Sequence, residues 1–132
     1  MKFSYEQYGD ILRPVIPVVI SNGKKSVECL ALVDSGADAC LFDSETGKSV
    51  GIDVDNSEVH RVVGVGGKIS HYYSHLVTLK VGKLSFKTDA GFMPGVMGGF
   101  MPYGFVGQKG FFDAFIVKFD KKKNQVELKG RS

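Results

Sequence analysis

The chain has 132 residues, 43% of them apolar and 23% charged, which excludes wholesale disorder and fits one domain over 1–132 with its core at about 11–129. Lys and Arg number 17 against 14 Asp and Glu, and the resulting net charge of +3 is too small to make nucleic acid the default partner. Two cysteines, Cys29 and Cys40, exclude a disulfide framework; with no Cys/His cluster at zinc spacing they read as buried thiols of a reducing compartment. The opening Met-Lys-Phe-Ser-Tyr-Glu-Gln is charged where a signal peptide needs an apolar run, and no stretch approaches the ~20 apolar residues of a membrane helix. The expectation is a soluble, cytoplasmic protein with no membrane partner.

In chain order, the first β-like run is 15–20, where Pro14 and Pro17 predict an edge or bulged strand. A turn at Ser21-Asn22-Gly23 leads to a second run at 27–33. Residues 44–50 form one or two helical turns before Gly51, and 59–63 is a strand ending at the glycine-rich turn 64–67. From 68 to 81 the period is two: Ile69, His71, Tyr73, His75, Val77, Leu79 and Val81 alternate with a more polar set, which predicts a long strand with one apolar or aromatic side. A turn at Val81-Gly82-Lys83 and a strand at 84–88 follow.

Residues 91–104 read as a long Met- and Gly-rich loop in which Gly91-Phe92-Met93-Pro94 recurs as Gly99-Phe100-Met101-Pro102, a period too short for a solenoid. A helical turn at 108–112 follows Gly107, then strands at 115–119 and 125–128 flank a solvated turn containing Lys121-Lys122-Lys123. Seventeen glycines among many short strands predict a mainly β fold, a small closed barrel of hairpins with one or two short helical turns.

Several apparent motifs fail on physical grounds. Gly47-Lys48-Ser49 ends like a phosphate loop, but Phe42 stands where the earlier glycine is needed. Gly64-Val65-Gly66-Gly67 is followed by a strand, so no helix N-terminus is there to hold an anion. His71 and His75 sit about 13 Å apart on a strand rising ~3.3 Å per residue, too far for a metal pair, and read as cross-strand packing residues.

The informative segment is Leu32-Val33-Asp34-Ser35-Gly36-Ala37-Asp38. A carboxylate directly after a buried strand is costly unless it is hydrogen-bonded or functional, and Gly36 lets the backbone turn tightly. An isolated Asp-Ser-Gly is a common turn. Here it is followed, in order, by Val62-Val63-Gly64-Val65-Gly66-Gly67-Lys68-Ile69 and by Phe105-Val106-Gly107-Gln108.

With these three motifs the sequence resembles the retroviral-type aspartic proteases (retropepsins) and their cellular and prokaryotic single-domain relatives, over about 15–128. The resemblance implies a retropepsin-like fold with a flap hairpin, a two-fold homodimer, and hydrolysis of peptide bonds in peptide or protein substrates, with no metal and no cofactor. It implies that Asp34 is catalytic, that Ser35, Gly36, Ala37 and Asp38 support the active-site loop, and that Ser35 hydrogen-bonds across the dimer axis. Val63, Gly64, Val65, Gly66 and Gly67 then form the flap with Val65 at its tip. Leu32, Pro102, Tyr103 and Phe105 are implied as pocket wall, which predicts apolar or aromatic side chains beside the cut bond. Met93, Met97 and Met101 read either as an adaptable wall or as part of a surface loop. Viral enzymes usually carry Arg after the late glycine, paired with the residue matched by Asp38; this chain has Gln108 there, so Asp38 needs another partner or the loop is held differently.

Aspartate-catalysed hydrolysis needs two carboxylates sharing one proton, one activating water and the other donating to the carbonyl oxygen. The separation of the pair's two titration steps is an established property of such dyads. The chain has one Asp-Ser-Gly; Asp89-Ala90-Gly91 lacks both the hydroxyl and the apolar lead-in. A single chain therefore owns half a site, and a homodimer completes it. The alternative from another class is an inactive retropepsin-fold dimerisation or peptide-binding module. A nucleic-acid-binding barrel would need a basic-aromatic face, but Tyr72 and Tyr73 lie beside His71 and His75 and outside any Lys/Arg cluster.

Overall fold

The period-two pattern resolves into strands throughout the computed structural model, which describes residues 1–94 and 102–131. Among the described residues the strands are β1 (Lys2–Ser4), β2 (Glu6–Tyr8), β3 (Ile11–Arg13), β4 (Val15–Asn22), β5 (Lys25–Val33), β6 (Cys40–Asp43), β7 (Glu58–Val63), β8 (Ile69–Val81), β9 (Leu84–Met93), β10 (Gly104–Val106), β11 (Phe115–Asp120) and β12 (Gln125–Gly130). Helix among the described residues is confined to α1 (Ser44–Ser49), single turns at Val54–Asn56 and Val65–Gly67, and a wide turn at Gln108–Phe112. Among the described residues no helix is long and apolar enough to cross a membrane.

Seven strands form one sheet in the order β4-β5-β10-β6-β9-β8-β7. β8 also returns to β4, setting Leu79 opposite Ile20, so the pairings from β4 round to β8 close a ring. Ile16, Val18, Ile20, Phe42, Leu79, Phe92, Val106 and Phe111 are fully buried inside it. The fold is mainly β with few short helices, as expected. Pro17 is exposed and pairs with Leu30 on the half of β4 that has β5 as its one neighbour, the position a strand proline tolerates.

The long alternation of β8 divides in two. Val77, Leu79 and Val81 are buried between β9 and β4, whereas Ile69 and His71, on the same phase, are exposed because that half leaves the barrel and pairs with β7. The apolar side expected over the whole strand is thus a core side only over its second half. His71 faces solvent opposite Arg61, and the half-buried His75 lies opposite Ala90.

The expected loop over 91–104 is shorter at both ends. β9 runs on to Met93 because β6 pairs with it in parallel from Ala90 to Met93, and a Cβ on Gly91 would lie 2.5 Å from both Leu41 and Tyr72 side chains. That glycine marks close approach of two strands rather than a loop. Gly104 likewise opens β10, pressed against the Leu41 carbonyl. Met97, Met101 and most of the second repeat copy lie outside the described residues.

The N-terminal strands β1, β2 and β3 were not expected. Three residues carry no measurable period; β1 exists because β12 pairs with it, Phe3 lying opposite Val126, and β2–β3 is a hairpin with Gly9 at φ +61°. The turn at Lys121–Lys123 is exposed, as expected. Cys29 and Cys40 are buried free thiols. Asp43 caps α1 by accepting from the Glu45 N–H at 2.9 Å, and Gly51 at φ +82° follows the helix end.

Two outcomes follow from this packing. A Cβ on Gly47 would lie 2.7 Å from the ring of Phe92, itself fully buried against Phe42. Gly47→Ala should therefore cost about 1–3 kcal/mol, read by urea denaturation. Burial, with Glu28 adding to it, pushes the Cys29 thiol up from 9.0 to about 12. The unfolded chain releases that proton at lower pH than the folded one, so this contribution to stability is intact below pH ~9 and declines up to pH ~12 at about 1.4 kcal/mol per pH unit. Unfolding free energies measured between pH 8 and pH 11 should fall less steeply in Cys29→Ala than in the parent.

Candidate active site

Asp34 is delivered by β5, whose Ala31 and Val33 are anchored in the core, and its backbone N–H donates to the Val106 carbonyl of the parallel strand β10 at 3.0 Å. The chain then turns on itself. The Gly36 N–H donates to Asp34 Oδ1 at 2.9 Å and the Ala37 N–H to the Asp34 carbonyl at 3.2 Å. A Cβ on Gly36 would stand 3.3 Å from that same carboxylate oxygen, so a small residue keeps the carboxylate seated. Asp34 is half-buried, and Ser35, Gly36 and Asp38 are exposed.

The loop is braced from the far end of the sequence. The Gln108 N–H donates to the Ala37 carbonyl at 2.8 Å, the Lys109 N–H to the Asp38 carbonyl at 2.9 Å, and the Gln108 Nε2 to the Ser35 carbonyl at 2.7 Å. Gly107 permits this approach, since a Cβ there would fall 2.4 Å from the Ala37 carbonyl oxygen and 2.6 Å from that of Ala39. Gln108 thus grips the loop backbone rather than Asp38, whose carboxylate has no ion-pair partner among the described residues. Beneath it, the Cys40 thiol donates to the Lys109 carbonyl at 3.7 Å; its pKa is raised by burial, with backbone hydrogen bonds from Gly107 and Phe111 opposing.

Above the loop, β7 and the first half of β8 form a hairpin that leaves the barrel. Its tip closes through the Gly64 N–H to the Lys68 carbonyl at 2.9 Å, and Gly66 and Gly67 take φ of +86° and +79°, a region that side chains disfavour. Val63 at its edge is 65% exposed. The backbone of Val65 occupies the tip; its side chain falls outside what is described.

Loop and hairpin enclose a cavity of about 780 Å³. Asp34, Gly36, Ala37 and Asp38 form its floor, Ala39, Leu41 and Phe105 one side, and Arg61, Val62, Val63, Gly64 and Tyr72 the roof. Leu32, Pro102 and Tyr103 are not among its lining. Leu32 is half-buried opposite Phe105, and Pro102 is exposed. Tyr103 is 2% exposed, packed edge-on against Tyr8 at 5.0 Å and accepting from the Arg13 guanidinium. It pins the β2–β3 hairpin. Leu41, Arg61 and Tyr72 escaped the sequence reading because only strand register places them here; Tyr72 even belongs to the more polar phase of β8.

Asp89, of the second Asp-X-Gly, is held by Lys109 Nζ at 3.3 Å and does not line the cavity. A larger, mostly apolar hollow of about 950 Å³ lies between the 82–84 turn and β1, β11 and β12; Glu127 is its one carboxylate-bearing residue, and none of the candidate catalytic residues reaches it. Among the described residues no group of three His, Cys, Asp or Glu side chains could hold a metal ion.

A family model described as aspartyl protease matches residues 16–109, a span from β4 through the late glycine. No curated protein matches the chain. Among solved structures, the EIAV protease complexed with the inhibitor HBY-793 is similar in fold, with a TM-score of 0.53 and 21% identity over 77% of this chain and 88% of its own. A retropepsin-like aspartic protease from Rickettsia conorii is similar at a TM-score of 0.59 and 16% identity over 96% of this chain and 88% of its own. The catalytic-type loop, the hairpin above it and the late glycine all lie within the matched span: the chain belongs to the aspartyl protease family and has the retropepsin-like fold.

Proposed function

We propose that the protein is an aspartic endopeptidase acting as a homodimer, with Asp34 and Asp34 of the partner subunit forming the catalytic pair. The observation that carries this reading is the single Asp34 carboxylate, seated by its own loop at the floor of a cavity roofed by a glycine-tipped hairpin. One carboxylate takes a proton from water, whose oxygen attacks the scissile carbonyl carbon; the other, protonated, donates to the carbonyl oxygen. Collapse of the tetrahedral intermediate breaks the C–N bond, with a proton passing to the leaving nitrogen.

An extended peptide lies between floor and roof, where backbone pairing gives affinity and side-chain pockets give selection. Leu41, Val62 and Phe105 make that wall apolar, which supports a preference for apolar or aromatic residues beside the cut bond. The turn at Val65–Gly67 serves as the tip of a flap that closes over substrate. Ser35 is exposed at the loop apex, in position to meet a second copy. A second reading, a binding module of the same fold, has one observation in its favour: the Asp38 carboxylate is without an ion-pair partner among the described residues.

Two measurements test this reading. A peptide library assayed from mildly acidic to neutral pH should be cut by the parent, with Asp34→Asn slower by at least about 10²-fold; sedimentation should show a dimer. Cleavage that survives Asp34→Asn, or a strictly monomeric active species, overturns the proposal, and binding without cleavage favours the module. Gln108→Ala removes the grip on the Ser35 carbonyl and should cost about 1 kcal/mol in denaturation while lowering kcat.

A further inference from the structure

A second, smaller cavity adjoins the cleft. It measures about 190 Å³ and shares Ala39 and Tyr72 with the Asp34 cavity, so the two adjoin at the Tyr72 side chain. At ~30 Å³ per water it has room for about six waters, the scale of one long side chain. Its remaining walls are polar: Glu58, His60, Ser74, Asp89 and Lys109. Asp89 is the acidic residue of the second Asp-X-Gly, for which the proposed chemistry has no use.

The charges in this annex are arranged rather than scattered. Lys109 and Asp89 neutralise each other at 3.3 Å. The His60 ring is fixed from two sides, stacked on Tyr72 at 5.1 Å and hydrogen-bonded to Ser74 Oγ at 2.9 Å, and Glu58 stands 3.8 Å from it. Cleft and annex together present four carboxyl groups (Asp34, Asp38, Glu58, Asp89) against Arg61, Lys109 and the His60 ring. The concave surface therefore carries more acidic than basic groups on a chain whose net charge is +3. Low-dielectric walls focus such a field on whatever enters.

We propose that this annex is a specificity subsite that receives a basic side chain, Lys or Arg, of an extended peptide at a position away from the cut bond. The inference rests on the proposed peptide-cleaving function and adds to it a substrate class: an apolar centre flanked by a basic residue. The annex groups are partly exposed, so the selection is modest, on the order of three- to fivefold per unit charge.

The test uses peptides with one apolar core sequence in which a single residue, two to five places from the centre on either side, is Lys, Gln or Glu. The ratio kcat/KM should run Lys over Gln over Glu at one position and shrink as salt rises from 20 to 300 mM. Glu58→Gln and Asp89→Asn should each lower the Lys-to-Gln ratio, whereas Lys83→Gln on the distant 82–84 turn should leave it unmoved. Fluorescence anisotropy of the same labelled peptides on the Asp34→Asn protein reads the order without cleavage. Glu peptides equal to or better than Lys peptides, or a ratio unmoved in both annex variants, overturn the subsite while cleavage stands. The Lys order in binding with no cleavage by the parent upholds the subsite and overturns the peptidase.

Discussion

The contact on which the site depends is the close approach of the Gly107 backbone to the carbonyls of Ala37 and Ala39. Two segments far apart in sequence meet there with no room for a methyl group. Because they meet, Gln108 and Lys109 can place their N–H groups on the loop carbonyls. The same convergence lets β10 run parallel to β5 and accept the Asp34 N–H. A loop carrying a half-buried carboxylate would otherwise face desolvation without compensation. Here its backbone is held at four residues, Asp34, Ser35, Ala37 and Asp38, among the acceptors or donors, and the carboxylate receives a loop N–H of its own.

The substitution of Gln108 for an arginine changes which part of the loop is held. A guanidinium grips a carboxylate bidentately; the Gln108 amide instead donates to the Ser35 carbonyl. The loop keeps its brace while Asp38 lines the cleft. Of the two outcomes the sequence left open, a loop held differently is the one seen, and Asp38 has no ion-pair partner among the described residues.

β8 links scaffold and cleft. Its second half is a core strand paired on both sides, and its first half is half of the hairpin roof. The boundary falls near Tyr73 and Ser74, where pairing to β7 gives way to pairing to β9. The roof is thus continuous with a strand of the ring whose Val77, Leu79 and Val81 are buried. Val63 and Ile69 at its edge are exposed apolar side chains, 65% and 48% accessible.

Local pattern carried much of this. Apolar alternation located the long strands and turn glycines separated them, while the family resemblance carried by Asp34-Ser35-Gly36, Gly64–Gly67 and Gly107 implied the loop and the hairpin above it. Local pattern could not tell a glycine that bends a loop from one that admits a neighbouring strand, which is why Gly91 and Gly104 read as loop and stand in strands. Nor could it find three-residue strands such as β1, or assign Tyr72 to the cleft and Tyr103 to a packing anchor under Arg13. Period and turn chemistry are set by neighbours in sequence, and so the sequence alone determined them. Strand register, the parallel pairings and the joining of Glu58, His60, Asp89 and Lys109 around one hollow depend on residues distant along the chain, and only tertiary packing decided them.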